Sequence, residues 1–550
     1  MSISLQKFGS LQESKFALAH LISYHSQKQL KIFPIPGRNA LMNNGFDLYQ
    51  KGVKIVASPR HANVLMIVGT LTKELLKAAA ITYAQIPRPR ILVSVDTEEI
   101  SPLPEPDLIL SAKEINDLVF KLKNTDFWNI EQQAYKPSFL MNLLDDSDDK
   151  DEHGHDHNNV ENQDHSQHDS GGGIHTNHSH PGGNNSEDES GEHDQQSNNK
   201  DKDNKDQHGH NHNHDNGGSG FMSMVKMTKD MPRAADGLPM DMNEGRFGPF
   251  HPGLQDALRI KMMLDGDTVK IASFEKGLLS RDLLHTFPDD PAKLPAHLEK
   301  LDPLQPLAYK NLAISALYNI SGEGIFLANI AKLENERICY HLFQIATLMQ
   351  TIGDHAMHYK VHQNIRDFQK GDFSSDVLFK TIRKLKKRPY LKQRLKRTGK
   401  IPEIFLHHLS GPVAKAAGKI DDCRSAKDNY QNFKPVQYYE NNAWGQLLVR
   451  LDEISQSLEF INSGASEETS FDIDKINFSG DQSGNASIET ATGTACLHLN
   501  LTNGKITGIK LEVPSTKIAA LIPEITMQEE LSDALVAIAS LGISPWEIDK

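Results

Sequence analysis

Cysteine is nearly absent: 3 in 550 residues, Cys339, Cys423 and Cys496. They make no CxxC pair and no even-numbered set, which excludes a disulfide framework and any all-cysteine zinc or iron–sulfur site. Runs of 18 or more apolar residues are also missing, so no membrane-spanning helix is expected. The first 30 residues lack an apolar signal segment followed by small residues, and the expected location is the cytosol or the cytosolic side of a membrane. The formal charge of -13 is misleading. Residues 145–216 hold 19 Asp/Glu against 4 Lys, a net of -15, which leaves +2 for the rest. The remainder is nearly neutral, so the acidic total identifies no partner.

That acidic segment divides the chain. It runs through Asp-Asp-Ser-Asp-Asp-Lys, repeated His-Gly-His and His-Asn-His, and Gly-Gly-Gly, with almost no apolar residue. Such a composition cannot bury enough surface to offset its conformational entropy, and a disordered linker is expected. The division is residues 1–144, a linker at 145–220, and residues 221–550. The linker holds 13 of the 26 histidines, among them His153, His155, His157, His208, His210, His212 and His214. Imidazoles suit zinc, nickel or copper, but without fixed geometry they bind weakly and unselectively. A solvated spacer explains them about as well.

The first part reads as α/β. Val53–Val56, Val64–Gly69 and Ile91–Val95 are apolar runs of strand length. Thr72–Gln85 between the last two is helical, with Leu75, Leu76, Ala79 and Ala80 on one face. Strand, helix and strand at that spacing predict a βαβ unit with a buried parallel sheet. The last part reads as α+β: a hairpin from Ala257 to Ser273 through Asp265-Gly266-Asp267, long helices at 306–321, 324–352 and 436–463, and two closing strands, Ala495–Leu501 and Lys505–Glu512, joined at Asn503-Gly504. Lys380 to Lys400 carries eleven Lys/Arg and no acid. It reads as a patch for anionic lipid or an acidic partner, or as a solvated helical hairpin, and nucleic acid is not expected.

Ser58-Pro59-Arg60-His61-Ala62-Asn63-Val64 through Val68-Gly69-Thr70-Leu71-Thr72, with Gln85-Ile86-Pro87-Arg88-Pro89, resembles the small subunit of complex I and of membrane-bound nickel–iron hydrogenases. Phe247-Gly248-Pro249-Phe250-His251-Pro252-Gly253 is similar to the opening hairpin of the partner large subunit, the quinone-site subunit of complex I. Glu334 to Leu342, Leu409 to Gly418 with Asp422 and Arg424, and Leu448 to Ile454 are similar to its later blocks. The resemblance implies a flavodoxin-like parallel sheet joined to a long-helix core. It also implies antiporter-like membrane subunits as partners.

The departures bear on chemistry. Where the family carries cluster thiolates, this chain has Asn43-Asn44-Gly45-Phe46-Asp47, and the next ligand position falls near Glu98. Where hydrogenases carry their two nickel-binding CxxC pairs, it has Asp302-Pro303-Leu304-Gln305 and a segment containing Trp546 and Asp549. A conventional iron–sulfur cluster or nickel–iron centre is therefore not expected. The family's second hairpin histidine corresponds to Gln255, four residues after His251. An amide can hydrogen-bond a quinone carbonyl but cannot deliver a proton near neutral pH. His251 and Gln255 thus mark a pocket compatible with a quinone, and no catalytic residue is assigned. Glu336, Arg337, Arg424 and Glu453 read as paired charges of the core, and His341 as a hydrogen-bonded core histidine. The expected role is a scaffold or coupling subunit of an ion-translocating membrane complex. The alternative is a quinone-linked oxidoreductase subunit that receives electrons by a non-standard route.

Overall fold

The computed structural model describes residues 29–123, 135–137, 139, 242–279, 283–322, 329–426, 430, 432–463 and 478–548. The acidic segment with its seven singled-out histidines lies outside the described residues, as does Asp549.

The first part forms β1 (Leu30–Ile35), α1 (Arg38–Asn43), β2 (Val53–Ile55), β3 (Val64–Val68), α2 (Lys73–Gln85), β4 (Ile91–Val95), β5 (Leu108–Leu110) and α3 (Leu118–Lys123). Its five strands are all parallel, in the order β2-β1-β3-β4-β5. Every residue of β3 and β4 is buried, because covering elements lie on both faces of the sheet. Thr72 caps α2 by accepting from the Leu75 amide at 3.2 Å, and the expected apolar face is the buried one.

The last part opens with an antiparallel meander, β6 (Asn243–Phe247), β7 (Ile260–Asp265) and β8 (Thr268–Phe274). Its helices follow as α4 (Leu294–Leu298), α5 (Pro306–Ser321), α6 (Ile330–Ile352), α7 (His355–Gln369), α8 (Ser375–Lys386), α9 (Pro389–Lys396), α10 (Gly411–Ala416) and α11 (Ala443–Asn462). A second meander, β9 (Gln482–Glu489), β10 (Thr494–Thr502) and β11 (Lys505–Glu512), precedes α12 (Pro514–Ala519), α13 (Ile522–Thr526), α14 (Leu531–Leu541) and α15 (Pro545–Ile548). Helix α6 is the axis, packed by α7, α11 and α14. From Tyr340 to Met349 it is buried all round, as a helix surrounded by helices must be.

The two parts, remote in sequence, belong to one compact unit. One continuous core holds Ile32, Leu41, Met42 and Met66 of the sheet part together with Leu342, Phe343, Val361 and Ile365 of the helical part. Each such side chain, fully buried, stabilises the joint by about 1.5–3 kcal/mol. Polar bonds fix its register. Asp256 accepts from the Asn39 amide at 3.0 Å, Asn43 donates to the Pro303 carbonyl at 2.9 Å, and Arg366 reaches Asp47 at 3.4 Å.

The opening hairpin is part of this joint. Leu254 and Leu258 sit in the core of the helical part, and Phe250 packs edge-on to Phe33 of β1 with ring centroids 6.1 Å apart. Apolar character there comes from packing within the chain. Gly248 has φ +96, and a Cβ at that position would lie 1.9 Å from the Leu258 carbonyl oxygen, so the hairpin crosses itself only with glycine.

Candidate functional site at the carboxyl edge of the sheet

In a parallel sheet of order 2-1-3-4-5, ligands collect beyond the carboxyl ends of the strands, where β1 and β3 send their connections in opposite directions. This sheet has a cavity of about 510 Å³ there. Asn39, Ala40 and Asn43 line it after β1, Val68, Gly69 and Thr70 at the end of β3, and Glu98 after β4. Gly69 has φ +72, which turns the chain away at the strand end. The helical part closes the other side with Gln255 and Asp256 of the hairpin, Tyr340 and Gln344 of α6, Pro303 and Leu304, and the segment from Ile543 to Trp546.

Three of the positions at which the resemblance places thiolates, Asn43, Glu98 and Trp546, spread over some five hundred residues of sequence, line this cavity. Phe46 is instead buried in the core beside the sheet, and Asp302 and Gln305 are buried behind the wall. The residues present do not fit a metal cofactor. No cysteine lines the cavity, and no group of three His, Cys, Asp or Glu could hold a metal ion among the described residues. Burial pushes the Cys339 thiol on α6 up to about 12, away from the thiolate form that metals need.

A carboxyl–amide network replaces thiolates behind the wall. Gln305 donates to Asp302 at 3.1 Å and to Glu547 at 3.3 Å, and accepts from the Ala491 amide at 2.8 Å. Glu547 also accepts from Tyr309 at 2.7 Å, Thr492 at 2.8 Å and the Ser515 amide at 3.0 Å. Burial, reinforced by Asp302, pushes the Glu547 carboxyl up to about 7. Two polar atoms on the cavity-lining residues have no partner among the described residues: Gln255 Oε1 and Ser544 Oγ.

His251 and Gln255 are separated by the fold. Gln255 faces the large cavity and donates to Gln344 at 2.5 Å. His251 lines a neighbouring cleft of about 50 Å³ with Arg38, His358 and His362, and its Nδ1 accepts from the Gly253 amide at 3.2 Å. Burial lowers its pKa, so the ring is neutral. Asp256 touches both spaces, and burial pushes its carboxyl up to about 6. Sequence reasoning passed over Asp256. Only its place beside Gln255 could have pointed to it.

The best-matched blocks form a buried ionic cluster. Lys415 bonds Asp422 at 2.6 Å, Glu453 at 2.7 Å and Glu489 at 3.1 Å. Arg424 pairs with Asp422 at 2.8 Å, and Arg337 with Glu334 at 3.2 Å. Burial disfavours every one of these charges. Lys415 nevertheless holds Glu453 well below the usual carboxylate range, and Arg424 and Lys415 do the same for Asp422. His341 meets Glu453 at 2.8 Å, and burial lowers its pKa to about 4, so it is a neutral core histidine that donates to a carboxylate. Glu336 departs from the expectation of paired charges. Its carboxylate caps α5 through the Leu307 and Ala308 amides at 2.8 and 2.9 Å, and burial raises it to about 8.

No protein-family model matches the chain. The D subunit of the NADH-quinone oxidoreductase of Desulfotalea psychrophila is 25% identical over 359 residues, 55% of this chain and 96% of that protein. The H subunit of the NAD(P)H-quinone oxidoreductase of Prochlorococcus marinus is 23% identical over 271 residues, 40% of this chain and 68% of that protein. A third relative, named as a probable membrane-bound hydrogenase subunit mbhJ of Pyrococcus furiosus, is 36% identical over 56 residues. The chain is thus similar to subunits of NADH-quinone oxidoreductases and of a membrane-bound hydrogenase. The match to the hydrogenase subunit spans 10% of this chain and about a third (34%) of that relative's length. Among solved structures, the archaeal membrane-bound sulfane sulfur reductase complex contains a chain that is 19% identical, with a TM-score of 0.49 over 56% of this chain and 99% of its own. Among the described residues no helix is long and apolar enough to cross a membrane.

Proposed function

We propose that this protein is a subunit of the cytosolic arm of a complex-I-like or hydrogenase-related, ion-translocating membrane complex, and that it acts as a scaffold or coupling element. One observation carries this reading: Asn43 and Glu98 of the sheet part and Trp546 of the helical part, each where the resemblance places a thiolate, line one cavity. A subunit that keeps the joint between its two parts but has no thiolates there retains the shape of the arm without its cluster or nickel chemistry. The strand order supports the flavodoxin-like reading of the sheet. Antiporter-like membrane subunits are the proposed partners, with peripheral attachment on the cytoplasmic side of the membrane. Weak zinc or nickel binding is assigned to the His-rich segment alone. The test is iron, nickel and acid-labile sulfide content of anaerobically purified protein, together with affinity capture from its native membranes. Substoichiometric iron and nickel with co-purifying polytopic subunits are expected, whereas stoichiometric cluster iron would overturn the reading.

A second reading is favoured by Gln255. Its unpartnered Oε1 and the unpartnered Ser544 hydroxyl belong to residues lining a 510 Å³ cavity, and a quinone-type ring offers both a carbonyl and, when reduced, a hydroxyl donor. On this reading the chain is a quinone-linked oxidoreductase subunit whose electrons come from another subunit. Saturable binding of a short-chain quinone that is abolished by Gln255→Leu would support it.

A further inference from the structure

The run from Lys380 to Lys400 folds into α8, α9 and their flanks, and its cations divide into two sets. Four are pinned: Lys386 to Asp452, Arg388 to Asp354 at 2.6 Å, Arg394 to Asp533, and Lys396 to Glu440 at 2.8 Å. The other seven of the eleven have no ion-pair partner among the described residues, and Lys384, Lys387, Lys392 and Arg397 are exposed. The leucines between them, Leu385, Leu391 and Leu395, are buried against the helical core, so the cations necessarily face outward.

This basic surface runs into an apolar one. Ile404 is 76% exposed, Ile420 60% and Tyr439 82%, among the most exposed large apolar side chains of the described residues. They are tied to the basic helices by short contacts. The Lys396–Glu440 pair lies next to Tyr439, Asn441 donates to the Ile401 carbonyl at 2.7 Å, and Tyr439 bridges to Ala417 beside Gly418. Lys419 donates to the Leu409 carbonyl at 2.9 Å and pairs with Asp421 at 3.1 Å, which fixes the turn that carries Ile420.

We infer that α8, α9 and the knobs Ile404, Ile420 and Tyr439 form a contact surface for an anionic lipid bilayer. The centre of a protein–protein interface is depleted in lysine and gathers its apolar groups into one packed patch. Here the apolar side chains stand singly, and the exposed, unpinned cations of the run from Lys380 to Lys400 are mostly lysines. A fluid layer of anionic headgroups satisfies such cations without fixed partners, while Tyr and Ile enter at headgroup depth. The inference takes its setting from the reading of the chain as a membrane-associated subunit. It concerns direct lipid contact, which needs no partner subunit.

The test is flotation of the purified full-length chain with vesicles of phosphatidylcholine, with and without phosphatidylglycerol. Binding only to the anionic vesicles, weakened by salt, is expected. Lys384→Glu/Lys387→Glu/Lys392→Glu should lower it by at least about tenfold. Ile404→Ser/Tyr439→Ser, which leaves the charge unchanged, should lower it several-fold, with thermal unfolding of both variants unshifted. Equal binding to both vesicle types, or full binding by either variant, would overturn the assignment. Retention on immobilised polyglutamate without vesicle binding would also overturn it, in favour of an acidic protein partner. Failure of this test leaves capture of polytopic subunits from native membranes as a separate result, so the two readings fail independently.

Discussion

Arg38 on α1 donates to Nε2 of His358 on α7 at 3.2 Å, across the joint between the sheet part and the helical part. The tautomer follows from the neighbours. The Ala346 carbonyl can only accept, so Nδ1 at 2.8 Å carries the proton, and a guanidinium can only donate, so Nε2 is bare. The bond exists only while the ring is neutral. Burial, with Arg38 nearby, lowers its pKa to about 4.

A pH dependence follows. An unfolded imidazole takes its proton near pH 6.5 and the folded one only near 4. Between those values the unfolded chain binds more protons, so stability rises with pH through this window. Lowering the pH from 7 to 4 should cost about 3 kcal/mol through this group, and the buried His341 adds a cost of the same sign. His358→Gln should be less stable than wild type by about 1–2 kcal/mol at pH 7. That gap should close as the pH approaches 4, as read by urea unfolding. A gap independent of pH would show that His358 is already charged in the fold.

Lys415 serves three buried carboxyls at once, so its loss should be severe. Lys415→Met leaves Asp422, Glu453 and Glu489 without their shared cation and should cost about 3–5 kcal/mol. Burial already raises the Glu489 carboxyl. Adding Glu489→Gln to Lys415→Met should therefore recover part of the loss, measured as a non-additive denaturation midpoint. Simple additivity would mean that the three carboxyls do not share the cation.

How much of this was legible in the sequence depended on whether local pattern or tertiary burial decided each element. The β3 and β4 runs and helix α5 stand out because their periodicity and composition agree with their burial. Strand β1 is interrupted by Lys31 and Pro34, and β6 and β9 are polar edge strands, so none of the three shows an apolar run. The cavity positions Asn43, Glu98 and Trp546 were reached through departures from a family pattern. Asp256 and Lys415 carry no local signal, since only tertiary packing tells a buried lysine from a surface one, whereas Arg424 and Glu453 of the Lys415 cluster read as core charges from the matched blocks. Nor does the pattern show that both parts share one core, because hydrophobic periodicity marks a buried face without naming what covers it.

Ser544 offers a probe of the cavity. Its hydroxyl is buried without a partner among the described residues, so Ser544→Ala removes an unsatisfied group and should leave stability unchanged or raise it by up to about 1 kcal/mol. Thermal unfolding of the purified protein decides the matter. A loss of more than about 1 kcal/mol would mean that the hydroxyl is bonded in solution, by a water or a ligand held in the cavity.

The opening hairpin sets the last expectation. Its Leu254 is 3% exposed and its Leu258 is wholly buried, so neither is free to dock a partner in this fold. Leu254→Asp would place a carboxylate in the core of the helical part, and should destabilise the protein by more than about 3 kcal/mol. Such a variant should become protease-sensitive while any surviving folded protein still sediments with native membranes. Gln255→Ala removes the bond to Gln344 and should cost only about 1–2 kcal/mol. If Leu254→Asp instead gave a stable protein that left the membranes, the hairpin would have to open on docking and turn its packed face outward.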